Sequence, residues 1–157
     1  MPRIALAVCL FALTVSAAAA DPSILGGGGT WVQRSAPGVT APLVFTVEEA
    51  GPARKITYGI RNPDGKMAPG FSMTVTTLLD GKDAEVLTNG QSMAQTMAIK
   101  KIDALHFVTI HKHQGKQFGT TKAELSADGK VMKVEDDYSM SVTGQKVGKT
   151  TQFFDRK

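Results

Sequence analysis

His111 and His113 stand two residues apart in a β-prone run, so on a regular strand both imidazoles project from one face and could share a metal, while His106 points to the other face. A closed zinc site needs about four ligands, and the carboxylates within range in the sequence are Glu124, Glu135, Asp136 and Asp137. Because the pair adjoins Lys112 and the Gly115 turn, it reads first as an exposed strand end and only weakly as a metal or haem site. Glu135-Asp136-Asp137 offers neighbouring carboxylates for acid–base work or calcium. Calcium loops alternate their acidic positions along a turn, however, and this run lies in β-prone sequence, so it reads as a solvated strand segment. Gly144-Gln145-Lys146-Val147-Gly148-Lys149-Thr150 comes near the phosphate-binding loop pattern. It has three residues between its glycines where four are needed, and a hairpin turn accounts for it. Serines and carboxylates are abundant, yet no elbow motif ties a serine to a histidine. The chain therefore reads as non-enzymatic, and no motif in it asks for a cofactor.

The elements that must carry these residues are strands. Asp64-Gly65-Lys66, Asp80-Gly81-Lys82 and Asp128-Gly129-Lys130 each separate runs rich in Val, Ile, Thr, Met, Phe and Tyr, and Asn89-Gly90 repeats the pattern. Asp-Gly and Asn-Gly tolerate the positive φ angles of tight hairpin turns, so their recurrence predicts an antiparallel meander. The first strand starts near Gly28 and carries Trp31, and the two prolines between Arg34 and Pro42 make that segment a loop. Leu43, Phe45 and Val47 alternate with Val44, Thr46 and Glu48, one face apolar and the other mixed, up to Gly51-Pro52, and Ile56, Tyr58 and Ile60 alternate with Lys55, Thr57, Gly59 and Arg61 up to Asn62-Pro63-Asp64-Gly65. A strand from Phe71 to Leu79 is expected to be closed by a turn at Asp80-Gly81. Ala84 to Leu87, Met93 to Ile102, Leu105 to Lys112, Phe118 to Leu125, Val131 to Met140 and Val147 to Phe154 complete the series, with Gly144-Gln145 between the last two. The fold class is all-β. A sheet of so many antiparallel strands tends to curl, and closing it removes its exposed edges, so the meander predicts a β-barrel of 8–10 strands in preference to a sandwich.

Residues 1–20 differ from the rest. Arg3 is followed by an apolar run from Ile4 to Val15 and by Ala18-Ala19-Ala20, which reads as a signal peptide cleaved before Asp21. Residues 21–157 then form one domain, periplasmic or secreted, with no stable membrane insertion expected once the leader is gone. Cys9, the only cysteine, lies in the leader, so the mature domain has no thiol for a disulfide or for thiolate chemistry. Without Arg3 the mature chain carries 17 basic against 14 acidic side chains, a net charge of +3. That field is weak and its lysines are scattered over turns and strand faces, so nucleic acid is not an expected partner.

Gly29-Thr30-Trp31 at the start of the domain, followed by the meander, resembles the Gly-x-Trp signature of the first strand in lipocalins and fatty-acid-binding-type barrels. The resemblance implies that Trp31 plugs one end of the barrel and that a C-terminal arginine, here Arg156, packs over the indole. The chain also looks like a group of small exported bacterial proteins, mostly uncharacterised. They share the early Gly-Thr-Trp and motifs seen here as Asp80-Gly81-Lys82-Asp83, Lys100-Lys101-Ile102-Asp103-Ala104 and Ser126-Ala127-Asp128-Gly129-Lys130. Those shared features are turns and strand edges, so they imply a fold and no reaction. The short loop from Arg34 to Pro42 departs from the helix-turn-helix lid of fatty-acid-binding proteins, and a shallow or open-mouthed cavity suits it better.

The expected function is binding of a small hydrophobic or amphipathic ligand among Phe45, Val47, Tyr58, Met73, Val75, Met97 and Phe107, since barrels of about eight or more strands can enclose one molecule. Beside the initiator, six methionines could line such a space, although they serve equally as core filler. The alternatives are a structural or protein-interaction barrel whose core is filled by side chains and, behind it, a haem or metal barrel using His111 and His113.

Overall fold

The computed structural model describes residues 28–35, 42–62, 67–141 and 147–157. The expected signal peptide, Asp64-Gly65-Lys66 and Gly144-Gln145 lie outside the described residues. The chain runs as ten strands: β1 (Gly29–Gln33), β2 (Leu43–Ala50), β3 (Ala53–Arg61), β4 (Met67–Thr77), β5 (Asp80–Thr88), β6 (Gln91–Lys101), β7 (His106–His113), β8 (Lys116–Leu125), β9 (Val131–Tyr138) and β10 (Gly148–Arg156). Each pairs antiparallel with its neighbours in sequence, and β1 pairs with β10, so the meander closes into a barrel. No helix occurs among the described residues.

Period-two alternation dictates the two faces. Trp31 is opposite Phe45, Phe45 opposite Tyr58 and Tyr58 opposite Met73, so these side chains share the inner face. On the outer face the same strands carry Thr46, Glu48, Lys55, Thr57 and Thr74. Beyond residue 104 the inner face is that of Phe107, Thr109, His111 and His113, which follows from the pairing of Met97 with His111 and Ile99 with Thr109.

The turns show how local chemistry serves this plan. Asn89-Gly90 joins β5 to β6 with both φ values positive, at 49° and 79°, and Gln114-Gly115 joins β7 to β8 in the same way. Asp128 accepts hydrogen bonds from the Ser126 hydroxyl and the Lys130 amide and so shapes the β8–β9 turn. The Asp80-Gly81 expectation needs correcting. The chain reverses two residues earlier, at Leu78-Leu79, where Leu79 takes a φ of 61° and donates its N–H to Thr77 Oγ1. Asp80 already belongs to β5, and Gly81, at φ 81°, sits where the β5–β6 register slips between Asp80 and Asp83. Its glycine serves a β-bulge rather than the turn itself.

The base of the barrel is bounded by the β2–β3, β4–β5, β6–β7 and β8–β9 turns. Trp31, Val47, Ile56, Val75, Ile99, Phe107, Leu125 and Met132 fill it, all buried. Trp31 is 0% exposed and lies 6.1 Å from the Phe45 ring in a stacked arrangement. The Arg156 guanidinium carbon lies 5.7 Å from the centre of the Trp31 ring, and Arg156 Nη2 donates to the Gly28 carbonyl at 2.6 Å. A Cβ on residue 29 would come within 3.1 Å of Arg156 Nε, and φ at this position is +123°, so the glycine makes room for the guanidinium.

Arg156→Met keeps the aliphatic stem but removes the cation–π contact and the carbonyl bond. It is expected to lower stability by about 1–2 kcal/mol. Urea unfolding followed by the fluorescence of the single tryptophan checks this: the midpoint should fall while the slope stays constant.

Candidate functional site

The opposite, upper end of the barrel is bounded by the β1–β2, β3–β4, β5–β6, β7–β8 and β9–β10 connections, and there the inner wall changes character. Continuing each strand's inward phase past its apolar residues brings Gln33, Tyr58, Thr88, Gln95, His111, His113, Asp136, Tyr138 and Gln152 to the inner face. The polar belt thus draws on nearly every strand of the barrel.

Half of this belt is a continuous hydrogen-bond chain. Thr121 Oγ1 lies 2.6 Å from Asp136 Oδ1 and 2.8 Å from His111 Nε2. A hydroxyl has one proton, and Asp136 can only accept, so Thr121 donates to the carboxylate and His111 donates to Thr121 through Nε2–H. Neutral His111 is thereby set in one tautomer, with Nδ1 bare. Gln152 Nε2 donates to Asp136 Oδ2 at 2.9 Å, Gln33 Nε2 donates to Gln152 Oε1 at 2.7 Å, and Gln33 Oε1 accepts from the Leu43 amide at 2.9 Å. Tyr138 and Phe118 close over the imidazole, with ring centres 5.3 Å and 5.9 Å from it. Gly119 is required beneath the Tyr138 ring, which occupies the space a Cβ would take.

Burial acts on His111, Tyr138, Tyr58 and Asp136. It pushes the His111 pKa down to about 4 and the Tyr138 hydroxyl up to about 12, Asp136 adding to the latter. The Tyr58 hydroxyl is raised by burial first and by the nearby Tyr138 and Asp136 second. Asp136 is raised by its own burial, against which its hydrogen bonds to Thr121, Tyr138, Gln152 and Thr150 work.

The other half of the belt is unsatisfied. Gln95 is 3% exposed, and its Nε2 has no hydrogen-bond partner among the described residues; the same holds for Thr88 Oγ1 and His113 Nδ1.

Of the seven residues expected to line a cavity, Phe45, Val47, Met73, Val75, Met97 and Phe107 are buried on the inner face, and Tyr58 is partly buried against them. They belong to one hydrophobic cluster that fills the barrel from the base up to the polar belt. Two expectations are overturned. His111 is 6% exposed and belongs to the interior network, not to an exposed strand end, because pairing with Met97 and Gly119 turns it inward. Asp136 is likewise buried, while its flanking residues Glu135 and Asp137 are exposed, as alternation requires. Among the described residues no group of three or more His, Cys, Asp or Glu side chains could hold a metal. The inward polar residues that sequence reasoning passed over, buried Gln95 and half-buried Gln152, carried a readable signal. Gln95 shares the phase of Met97 and Ile99, and Gln152 that of Phe154.

No protein-family model, curated protein or solved structure matches the chain.

Neutral His111 in the fold against an ordinary value of 6.5 means that the unfolded chain takes up a proton first as pH falls. Stability should therefore drop between pH 6.5 and about 4, by about 2–3 kcal/mol from this residue. Asp136, raised in the fold, acts with the opposite sign around its own range. His111→Gln retains a donor for Thr121, and denaturant unfolding across that window should show a flatter pH dependence than in the parent protein.

Proposed function

We propose that this chain is an exported, non-enzymatic, lipocalin-like barrel that holds one small amphipathic molecule inside, with its apolar body toward the base and its polar end at the upper belt. The carrying observation is the division of one inner wall into an apolar half, packed on Trp31, and a polar half drawn from many strands. Binding sites for small molecules combine those two ingredients: mostly apolar lining with a few convergent polar groups that orient the ligand.

Two further features support the reading. Of the eight large hydrophobic residues that are exposed among the described residues, Leu43, Met67, Met93, Met140 and Val147 lie at the upper end, which marks that end as the side of access. The outer wall carries Glu48, Lys55, Lys122, Glu124 and Glu135 in place of the apolar band that a lipid-embedded barrel presents. This favours a water-borne barrel in the periplasm or outside the cell, as the leader of residues 1–20 implies.

Expression of the full chain in a bacterium, followed by N-terminal sequencing and native mass spectrometry of the folded product, tests this. The expected result is a chain beginning at Asp21 with one small molecule bound per barrel, released by organic solvent. Retention of the leader would refute export. A bare barrel that takes up no apolar fluorescent probe would refute the carrier reading in favour of a filled structural barrel.

A further inference from the structure

Thr88, Gln95 and His113 stand on three adjacent strands. Gln95 is directly opposite His113 across β6–β7 and opposite Val86 across β5–β6, and Thr88 is the next inward position after Val86. Directly paired residues on one face have Cβ atoms about 5 Å apart and diagonal ones about 7–8 Å, so the three polar groups converge on one spot. All three have a polar atom that is sealed from water and left without a partner among the described residues, and Gln95 is 3% exposed. Buried amide donors are rarely left unmet, because each costs about 1–3 kcal/mol.

A second feature falls at the same place. The β5–β6 ladder slips between Val86 and Leu87, so that Val86 faces Gln95 while Leu87 faces Ser92. Met93 and Ala94 take up the slack, Ala94 at φ 54° and Met93 exposed at the upper rim. Such bulges re-aim side chains and interrupt pairing beside binding sites. Met73 stands beside Thr88 as its cross-strand partner, and Met97, paired with His111, lies one inward step below Gln95. Flexible thioethers adapt to an apolar chain of variable shape.

The charge around the spot selects among ligands. Asp136 is the buried carboxylate of the belt, and an anionic head would be repelled by it. A cationic head would find its two oxygens already engaged by Thr121 and Gln152. Lys116, opposite His113, is exposed at the rim, where an ion pair contributes little. From this we infer that the ligand carries an uncharged oxygen acceptor, a ketone, ester or amide carbonyl, which takes the Gln95 Nε2 hydrogen beside Thr88 and His113, while its apolar chain runs down past Met73 and Met97. This rests on the ligand-binding reading above and adds the class of head group to it.

Isothermal titration of the mature protein with 2-nonanone, nonanoate and nonylamine at pH 7 separates the two. The ketone should bind about tenfold more tightly than either charged probe, and Gln95→Leu should remove that preference by weakening the ketone alone about tenfold. Thr88→Val, of matching shape, should weaken it in the same direction by about threefold, and it provides the same readout should leucine at 95 disturb the barrel. Equal or tighter binding of a charged probe, or ketone affinity unmoved by both substitutions, overturns the head-group assignment and leaves the carrier reading standing. Failure of all three probes to bind overturns both.

Discussion

Everything inside this protein depends on the pairing of β1 with β10. A ten-stranded meander that stayed open would present two unpaired edges and an inner face wetted from the seam. β1 is only five residues long, and its ladder to β10 runs over Trp31, Val32 and Gln33 opposite Arg156, Asp155 and Phe154. Side chains reinforce so short a seam on both faces. Inside, Arg156 covers Trp31 and Gln33 bonds Gln152; outside, Arg34 makes a bidentate contact with Asp155 at 2.8–3.0 Å and stacks over Phe153. The amide of Lys157 continues the ladder to the Thr30 carbonyl.

Closure also explains why a polar network can exist in the interior at all. Asp136 would be expensive to bury alone, since an unpaired charge in a low-dielectric site loses its hydration. It is tolerated because Thr121 on β8 and Gln152 on β10 flank it on both sides, and Gln152 is in turn held by Gln33 across the seam. The seam and the network are thus one structure. Loss of β1 would free Gln152, and with it one of the donors that keeps the carboxylate satisfied. The β4–β5 ladder, by contrast, pairs only Met73 to Val75 with Thr88 to Val86, and the Asn89 side chain stands in for missing backbone bonds by joining the Ser72 amide and the Gly70 carbonyl. Backbone pairing is thus sparse between β4 and β5, and the unmet polar atoms of Thr88, Gln95 and His113 stand on β5, β6 and β7, away from the network that spans the seam.

At the base, aromatic and branched side chains interlock around Trp31, whose Nε1 has no hydrogen-bond partner among the described residues and which is therefore held by contact area. The upper belt leaves Thr88 Oγ1, Gln95 Nε2 and His113 Nδ1 without partners among the described residues, and on that contrast with the packed base the proposed carrier reading rests.

Much of this was legible in the chain. Asn89-Gly90 and Asp128-Gly129 mark turns because few residue pairs accept their backbone angles, and the alternation of Phe45 with Thr46 or Met97 with Ala98 sets which face is apolar, since a strand has a period of two. Local rules stopped at the bulges. Asp80-Gly81 has the chemistry of a turn, yet the register of β5 against β6 placed it one step inside the strand. What only the tertiary structure decided is which polar residues the barrel would swallow. His111 and Asp136 read as surface groups one strand at a time, and they join one interior network with Gln152 because residues as far apart as Gln33 and Gln152, separated by 119 positions, are brought side by side when the sheet closes. No property of a short stretch encodes that meeting; it follows from the shear and closure of ten strands acting together.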